Sequence, residues 1–464
     1  MVEFGSVKYF ALIFACLAGA AIAVDLKVGI YNSIPDIGDD DLASYENLIQ
    51  DGYTAAYPSN TVDAVVNSSL YDPYGNLEEY LHYDGFDMLE IDTISLPGLV
   101  EKGLIVPVDD LVYVPTWNDI FPEALDAVQY EDTYYAYPTL LCGNFLIGLS
   151  PATSGNCDLE SGRYNYDNFS SILTQCEGLL SSYPTYERLL GGKMNDIYGY
   201  YLPDMYVDGY IDMYGSQKAQ EAVDNVLAGD IDMSLCSRMT NYVGGCSDET
   251  GSPPNNKCFY KYADSYVEES DNIYTDITNK KTMLYFGFSE KLAQIKKDNP
   301  GIVAYAAISA PLGDSGYLLQ YTDALVVSAS SWNSADNEKK AAMIDFITFF
   351  TSQSLRESIL FGEDLSPQAT RYLLQANKQV YSIKEATSDP IIVDLYWALQ
   401  RGVHTPINDD TVRAEMQQKL MYSGCVCGCD DDDDDDDEQL IFNKEKKAPV
   451  DSCLAGEDDC DKAK

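Results

Sequence analysis

The chain has 464 residues, 46% of them hydrophobic, and a formal net charge of -46. This length exceeds what a single hydrophobic core usually organises, so we expect a globular protein with two domains. A surface this acidic repels nucleic-acid phosphates and anionic membranes, which argues against a polynucleotide partner and favours a cationic small ligand.

The first 23 residues have the pattern of a secretory signal peptide. Lys8 precedes an apolar run from Tyr9 to Ile22, and the small residues of an Ala-Ile-Ala sequence fit a cleavage site. An uncleaved membrane anchor is the alternative interpretation, although the run is short for a bilayer span. Asn67 and Asn168 each begin an Asn-x-Ser glycosylation acceptor. We therefore predict a secreted glycoprotein that is free of the membrane after signal removal.

Cysteine usage agrees with an oxidising compartment. The chain has 12 cysteines, and loss of Cys16 with the signal leaves an odd number, so one thiol stays unpaired if the other ten pair. Five cysteines lie within 157–258 and five within 425–460, so complete pairing needs at least one bridge between the body and the tail. Cys142 stands apart from both groups in an apolar, strand-like segment and is the candidate for the free thiol.

Strand-like segments alternate with helical periodicity along most of the chain, which predicts an α/β fold with largely parallel sheets. The predicted strands are 26–31, 62–66, 86–91, 282–288, 302–308 and 318–327, with an extended crossing segment at 134–149. The predicted helices are 42–49, a helix within 96–113, 168–180, 219–227, 289–297, 338–350, one opening at Ser366 and Pro367, 391–399 and 412–422.

Two stretches and the tail give no regular element. The segment 183–214 is rich in tyrosine and glycine, and 236–258 has the glycine, proline and asparagine pairs of a disulfide-tied loop. The tail, 425–464, contains eight consecutive aspartates followed by Glu438. A solvated acidic arm and a weak site for a hard cation such as calcium are the two interpretations of that block.

The crossing segment is the most unusual part of the sequence. After an aromatic approach and Pro138, a nearly continuous apolar run is interrupted by Cys142, Gly143 and Asn144. Glycine inside a strand indicates that backbone or ligand comes close. A lone thiol there is either a nucleophile or a buried structural cysteine.

Four motifs are similar to those of one known family. They are Leu-Leu-Cys142-Gly-Asn-Phe-Leu-Ile, Tyr285-Phe-Gly-Phe-Ser-Glu290, Leu-Glu-Ile-Asp92-Thr and Tyr321-Thr-Asp323. The chain from about 26 to 422 resembles the thiaminase I (thiamine pyridinylase) family, within the periplasmic solute-binding protein superfamily. The resemblance implies a two-lobed α/β fold of class II topology with a hinge cleft. Lobe one would comprise about 25–138 and 303–353, and lobe two about 139–302 and 354–424.

The same resemblance implies an activity, a base exchange on thiamine in which an amine or thiol replaces the thiazole on the pyrimidine methylene. Cys142 would be the nucleophile that adds to C6 of the pyrimidine, and Glu290 the general base. Asp92 and Asp323, which we place at strand ends, would hold the aminopyrimidine and the cation, and Tyr321 would supply an aromatic wall. The alternatives are helix capping for the aspartates and stabilisation of a helix dipole for Glu290.

Some features stay open or depart from the family. Phe288 stands two residues before Glu290, where the family pattern has a tyrosine, so a hydroxyl that could orient the substrate is missing. Tyr31, Tyr71 and Tyr274 are further candidates for aromatic stacking on the ligand. With two histidines in the chain, we expect no catalytic triad, no metal and no cofactor. The protein is expected to be a monomer; a non-catalytic extracellular binding protein for thiamine or a pyrimidine fragment is the alternative function.

Overall fold

The structure is a computed structural model, and the part of the chain that it describes falls within one compact unit, Met1–Gly428. The described residues are 24–30, 35, 41–66, 77–82, 85–108, 111, 115–149, 164–180, 188–192, 201–243, 282–298, 304–407 and 410–425. Several predictions therefore concern residues outside the description: the signal peptide, the acidic block of the tail, Asn67, Tyr31, Tyr71 and Tyr274. Asn168 is described and lies exposed on a helix, and its glycosylation stays a prediction.

Thirteen strands are found in these ranges. They are β1 (Val24–Ile30), β2 (Asn60–Val66), β3 (Met88–Asp92), β4 (Gln129–Tyr130), β5 (Thr133–Tyr134), β6 (Ala136–Gly143), β7 (Phe145–Leu149), β8 (Arg188–Gly192), β9 (Thr282–Gly287), β10 (Ala304–Ser309), β11 (Leu318–Val327), β12 (Leu374–Gln375) and β13 (Gly402–His404). Each predicted strand is present with small changes at its ends.

Fifteen α-helices accompany them in the same ranges. They are α1 (Asp41–Ala56), α2 (Leu77–His82), α3 (Leu96–Glu101), α4 (Pro122–Ala127), α5 (Tyr166–Leu180), α6 (Tyr201–Tyr214), α7 (Ala219–Ala228), α8 (Met233–Val243), α9 (Lys291–Asp298), α10 (Ala329–Ser334), α11 (Asn337–Phe350), α12 (Gln353–Phe361), α13 (Lys384–Ser388), α14 (Pro390–Leu399) and α15 (Asp410–Tyr422). Among the described helices, none combines the length and apolar character needed to cross a bilayer.

The larger sheet contains seven of the described strands, in the order β12-β6-β11-β3-β1-β2, with β13 also paired to β11. Strand β1 is parallel to β2 and β3, whereas β11 is antiparallel to both β3 and β6. The prediction of largely parallel sheets is therefore wrong. Strand β11 enters from β10 of the other sheet and not through a helical crossover from β3, so the rule that makes βαβ neighbours parallel does not set its direction.

The smaller sheet has the order β10-β7-β9-β8 among the described strands. Strand β7 is antiparallel to β10 and β9, and β8 is parallel to β9. Only Asn144 separates β6 from β7, so the predicted crossing segment leads directly from one sheet to the other. The two-lobed α/β fold is confirmed, while the residue bounds assigned to the lobes stay a prediction.

Helix α11 shows how the larger sheet is covered. The carboxylate of Asp336 caps its first turn by accepting from the backbone N–H of Lys339 at 2.8 Å. Its apolar side chains are fully buried in the core that also contains strand β1; they are Ala342, Met343, Phe346, Ile347 and Phe350. Burying each of the larger ones stabilises the fold by about 1.5–3 kcal/mol. These buried residues are the apolar positions whose helical spacing predicted a helix at 338–350.

Two predictions of local structure are corrected. Residues 201–214 are helical although no element was predicted there. Gly209, which counts against a helix in the sequence, is accounted for by packing, because a Cβ at that position would clash with Leu235 and Leu312. No helix opens at Ser366 and Pro367. The segment that follows them is held by tertiary bonds, since the backbone N–H of Arg371 donates to Leu360 O at 2.9 Å.

The structure agrees with two predictions about the cysteines, a free thiol at Cys142 and a disulfide between the body and the tail. Cys142 is the free cysteine in the described part of the chain. Cys236 and Cys425 form a disulfide, so a bridge does join the body to the first cysteine of the tail segment. Cys236 lies in helix α8, which corrects the prediction of a loop for the first part of 236–258.

Candidate active site

Three neighbouring strands bring most of the predicted site residues together. On the antiparallel pair of β6 and β11, Cys142 lies opposite Tyr321. On the next pair, Asp323 of β11 lies opposite Asp92, the last residue of β3. Residues opposite each other in a sheet have side chains within reach of one another. The register thus collects a thiol, a phenol and two carboxylates in the middle of the larger sheet.

Cys142 is half-buried, and its Sγ donates to Oδ2 of Asp323 at 3.6 Å. The next residue must be small. A Cβ at Gly143 would lie 3.1 Å from the side chain of Leu318 and 3.2 Å from the carbonyl oxygen of Leu319. The glycine that marked this segment as unusual therefore allows close packing of β11 against the strand that carries Cys142.

The electrostatic environment of the thiol is acidic. Burial raises the pKa of Cys142 well above its usual value, and the nearby carboxylates of Asp323, Glu290 and Asp92 raise it further. Both burial and negative charge disfavour the thiolate. The same interactions indicate that three of the predicted carboxylates lie around the sulfur. The thiol is protonated at neutral pH and needs a proton acceptor to react as a thiolate.

Glu290 follows strand β9 and immediately precedes helix α9. Its side chain is 5% exposed. Burial raises the pKa of Glu290, while the charge of Lys291 and a backbone hydrogen bond oppose the rise. A helix start weakens a carboxylate as a base, and here burial more than compensates for that effect. The predicted proton acceptor is thus stronger than an ordinary glutamate.

Asp92 acts as a cap and also lies near the thiol. Its Oδ1 accepts from the backbone N–H of Ile94 at 3.0 Å, which fits the capping interpretation. Burial raises the pKa of Asp92, whereas the Ile94 N–H and the guanidinium of Arg413 lower it. Asp323 is 2% exposed. Its predicted place at a strand end is wrong: it lies in the interior of β11, because that strand continues to Val327.

Tyr321 has a cation beside its ring. The guanidinium carbon of Arg413 lies 5.5 Å from the ring centroid. Burial raises the pKa of Tyr321 well above its usual value, the carboxylates of Asp204 and Asp208 add to this, and Arg413 opposes it. The ring of Tyr321, the predicted aromatic wall, is thus in contact with a positive charge.

Sequence reasoning missed Asp204 and Arg413. They come from α6 and α15, and Nε of Arg413 lies 3.7 Å from Oδ1 of Asp204, with the two side chains 3% and 2% exposed. Asp204 had a signal in the sequence, since aspartates recur at positions 204, 208 and 212 in an otherwise apolar helix and form one buried stripe. No local pattern distinguishes Arg413 from a surface arginine.

The other two aspartates of the stripe hold the loop before β11. Asp212 accepts from the backbone N–H groups of Gly313, Ser315 and Gly316, the first of these at 2.6 Å. Asp208 accepts from the backbone N–H of Leu319 at the start of β11. Helix α6 therefore fixes the strand that carries Tyr321 and Asp323.

The remaining predictions are placed as follows. Phe288 is half-buried between β9 and Glu290, in the turn that carries the predicted base. Within the described ranges, no group of three or more His, Cys, Asp or Glu side chains is arranged to hold a metal ion. The site therefore offers a thiol, a buried carboxylate base and further carboxylates that attract a cation.

The chain matches no protein-family model and no curated protein. Among solved structures it is similar to thiaminase I from Bacillus thiaminolyticus, at 18% identity and a TM-score of 0.56, over 85% of this chain and 97% of that chain. Clostridium botulinum thiaminase I in complex with thiamin has 17% identity and a TM-score of 0.55, over 86% and 99%.

Sugar-binding proteins are equally similar. MalE from Xanthomonas citri has 13% identity and a TM-score of 0.58, over 85% of this chain and 90% of that chain. Identities this low establish the fold alone. The chain has the two-lobed α/β fold that thiaminase I shares with periplasmic sugar-binding proteins.

Proposed function

We propose that the protein is a secreted, monomeric, thiamine-degrading transferase of the thiaminase I type. It would exchange the thiazole of thiamine for an amine or thiol co-substrate, with Cys142 as nucleophile and Glu290 as general base. The observation that carries the proposal is the free thiol of Cys142 with the carboxylates of Asp323, Glu290 and Asp92 around it. A purely structural cysteine has no need of three carboxylates, which oppose its ionisation.

The proton acceptor suits this thiol. General-base catalysis is most efficient when the pKa of the base lies near the operating pH, and a buried glutamate is shifted toward neutral pH. Burial raises the pKa of Glu290, and it also raises that of Cys142. The thiol therefore stays protonated until substrate arrives, and Glu290 takes its proton as the sulfur attacks.

The proposed reaction proceeds in two steps. First, Sγ of Cys142 bonds to C6 of the pyrimidine while Glu290 accepts the thiol proton; the electron pair pushed into the ring breaks the bond between the methylene and the thiazole nitrogen, and neutral thiazole leaves. Second, the incoming amine or thiol bonds to the methylene, the electron pair of the methylene double bond returns to the ring, and the proton of the co-substrate passes to solvent. The S–C6 bond then breaks, and Cys142 recovers its proton from Glu290.

The charges of the site favour thiamine over a neutral sugar. Asp92, Asp323 and Asp204 accompany Glu290, with Arg413 as the cation in contact with Tyr321. A thiazolium would reduce the repulsion among these carboxylates and lower the pKa of the thiol. Asp92 and Asp323 would accept hydrogen bonds from the exocyclic amine or balance the positive charge. A neutral sugar would gain nothing from this arrangement of charge.

A second candidate is a non-catalytic binding protein for thiamine or a pyrimidine fragment. The observation in its favour is the strongly raised pKa of Cys142, because a thiol so disfavoured as a thiolate is a poor nucleophile without effective base catalysis. Both candidates predict affinity for thiamine. They differ only in whether the bond to thiazole breaks.

One assay separates the two candidates. Purified protein is incubated with thiamine and an aromatic amine, and free thiazole is measured alongside binding by calorimetry. Release of thiazole that Cys142→Ser abolishes, with thiamine binding retained, supports the transferase. Binding without thiazole release would support the second candidate, and neither binding nor release would exclude both.

A further inference from the structure

Tyr372 has an unusual backbone conformation close to the candidate site. Its φ is 53°, in the left-handed region that non-glycine residues seldom adopt. The residue is 2% exposed and lies between helix α12 and strand β12. Such conformations are strained and persist where surrounding contacts fix them, often at functional sites. The contacts of Tyr372 connect the two segments that carry the proposed nucleophile and base.

The first connection leads to the nucleophile. Strand β12 pairs with β6, and its register places Leu374 opposite Leu141. Leu141 immediately precedes Cys142. The backbone N–H of Ala376 also donates to the carbonyl oxygen of Thr139 at 3.0 Å. The segment that begins at Tyr372 is therefore fixed by backbone hydrogen bonds to the strand of the thiol.

The second connection leads to the base. The hydroxyl of Ser289, which directly precedes Glu290, donates to the backbone carbonyl oxygen of Tyr372 at 2.8 Å in a buried setting. The hydroxyl of Tyr372 accepts from Nζ of Lys296 in helix α9 and donates to Oδ2 of Asp389 at 3.1 Å. Ser289 and Lys296 lie on either side of Glu290 in sequence. Tyr372 therefore holds the segment of the base at two points.

We infer that Tyr372 and Ser289 are positioning residues that fix Glu290 relative to Cys142. Tyr372 reaches the base segment through its carbonyl and its hydroxyl, and β12 reaches the nucleophile strand through the β-ladder. The consequence for turnover rests on the proposed function, because it requires Glu290 to act as a base. The consequence for the ionisation of Cys142 does not, because Glu290 raises the pKa of the thiol whether or not a reaction occurs.

A structural role alone and a positioning role predict different results for the titration of Cys142. Loss of a merely structural hydrogen bond lowers stability and leaves the pH profile of thiol alkylation unchanged. Loss of a positioning bond lets Glu290 move away from the thiol, and the profile shifts to lower pH. Iodoacetamide reports this directly, since its rate follows the thiolate fraction.

The experiment measures the rate of iodoacetamide alkylation at Cys142 in the full chain from about pH 6 upward, past the ordinary thiol pKa of about 8.5, until the rate levels off. Glu290→Gln sets the shift expected when the negative charge is gone. Ser289→Ala is expected to shift the midpoint in the same direction by a part of that amount, and Ser289→Thr to restore it. Ser334→Ala, which removes an exposed hydroxyl that donates to the carbonyl oxygen of Ser330 at 2.8 Å, is the matched control.

Tyr372→Phe removes the hydrogen bonds that the Tyr372 hydroxyl makes with Lys296 and Asp389. It leaves in place the backbone carbonyl oxygen that accepts from Ser289. It is expected to shift the midpoint downward as well, whereas the control Tyr130→Phe, which loses an exposed bond to Glu101, leaves the midpoint unchanged. If the wild type releases thiazole, Ser289→Ala should lower kcat by ~10- to 100-fold with KM unchanged, because misplacing a catalytic group reduces rate more than binding.

Two results would overturn the inference. One is an unchanged profile in both Ser289→Ala and Tyr372→Phe while Glu290→Gln shifts it, which would make both contacts structural. The other is an unchanged profile in Glu290→Gln itself, which would mean that the carboxylate does not face the thiol. If the expected shifts occur in a protein that releases no thiazole, the proposed function fails while the positioning of Glu290 stands.

Discussion

The thiol of Cys142 on β6 donates to the carboxylate of Asp323 on β11, with 3.6 Å between Sγ and Oδ2. This contact joins the proposed nucleophile to a residue proposed to bind substrate. It also stabilises the protonated thiol, because a hydrogen bond from the neutral form and a neighbouring negative charge both oppose ionisation. The thiol of Cys142 is therefore stabilised in its protonated form.

Asp323→Asn should make Cys142 more reactive toward a small alkylating agent. The substitution removes a negative charge that raises the pKa of the thiol. The thiolate fraction at neutral pH then grows ~10-fold for each unit by which the pKa falls. Alkylation of Cys142 by iodoacetamide at pH 7 measures this, with Cys142→Ser as the blank. A rate equal to or below that of the wild type would show that Asp323 does not control the thiol.

Glu290→Gln should slow thiazole release without destabilising the fold. Loss of a general base typically lowers kcat by ~10²- to 10⁴-fold. Because burial raises the pKa of Glu290, its ionised form disfavours the folded state at neutral pH, so the variant should unfold at an equal or higher temperature. Glu385→Gln, an exposed glutamate in the first turn of α13, is the matched control. Equal activity in the two variants would mean that Glu290 is not the general base and serves only to stabilise the start of helix α9.

Arg413→Gln should move the acid limb of activity to higher pH. In the proposed mechanism, binding requires ionised Asp92 and proton transfer requires ionised Glu290. Burial raises the pKa of both carboxyls. As the pH falls, activity should therefore be lost at a pH above the ordinary carboxyl pKa values of about 3.9–4.3. Arg413 lowers the pKa of Asp92, so its removal raises that pKa further.

The measurement is kcat/KM against pH for the wild type, Arg413→Gln and Arg401→Gln. Arg401 is a suitable control because its side chain donates to the carbonyl oxygen of Ser315 and stacks on Trp397. A limb that moves to lower pH in Arg413→Gln, or moves equally in both variants, would contradict the assignment of Arg413 to the site.

Removal of the Cys236–Cys425 disulfide should lower thermal stability. The bridge closes a sequence separation of 189 residues and joins α8 to the end of α15. Loss of such a native bridge costs about 2–5 kcal/mol. The double variant Cys236→Ala, Cys425→Ala should therefore melt several degrees lower by calorimetry under oxidising conditions. An unchanged melting temperature would mean that packing alone holds α15 in place.

Local sequence patterns predicted the strands and the thiol well, because both depend on neighbouring residues. Strand β11 has the predicted bounds, 318–327, and Cys142 is unpaired in the described part of the chain. The antiparallel direction of β11 could not be predicted in this way, since it depends on the route of the chain between two sheets. The place of Arg413 in the site could not be predicted either, because its partners Asp204 and Tyr321 come from distant segments.

Tyr372 illustrates the same limit at a single residue. Nothing in its sequence indicates a left-handed φ, which is fixed by contacts with Ser289, Lys296 and Asp389. These contacts form only after three distant segments pack together. The residues proposed to carry the chemistry thus stand in recognisable motifs, whereas the residues proposed to orient them are identified only from the tertiary structure.

The most direct test of the central claim is the mass of the protein during turnover. The wild type is mixed with thiamine without an added amine or thiol, quenched in acid, and analysed by intact mass and peptide mapping. We expect a covalent pyrimidine adduct on Cys142 that disappears when an aromatic amine is added before the quench, and no adduct in Cys142→Ser. Thiazole release with an unmodified Cys142, or with an adduct on another residue, would contradict it.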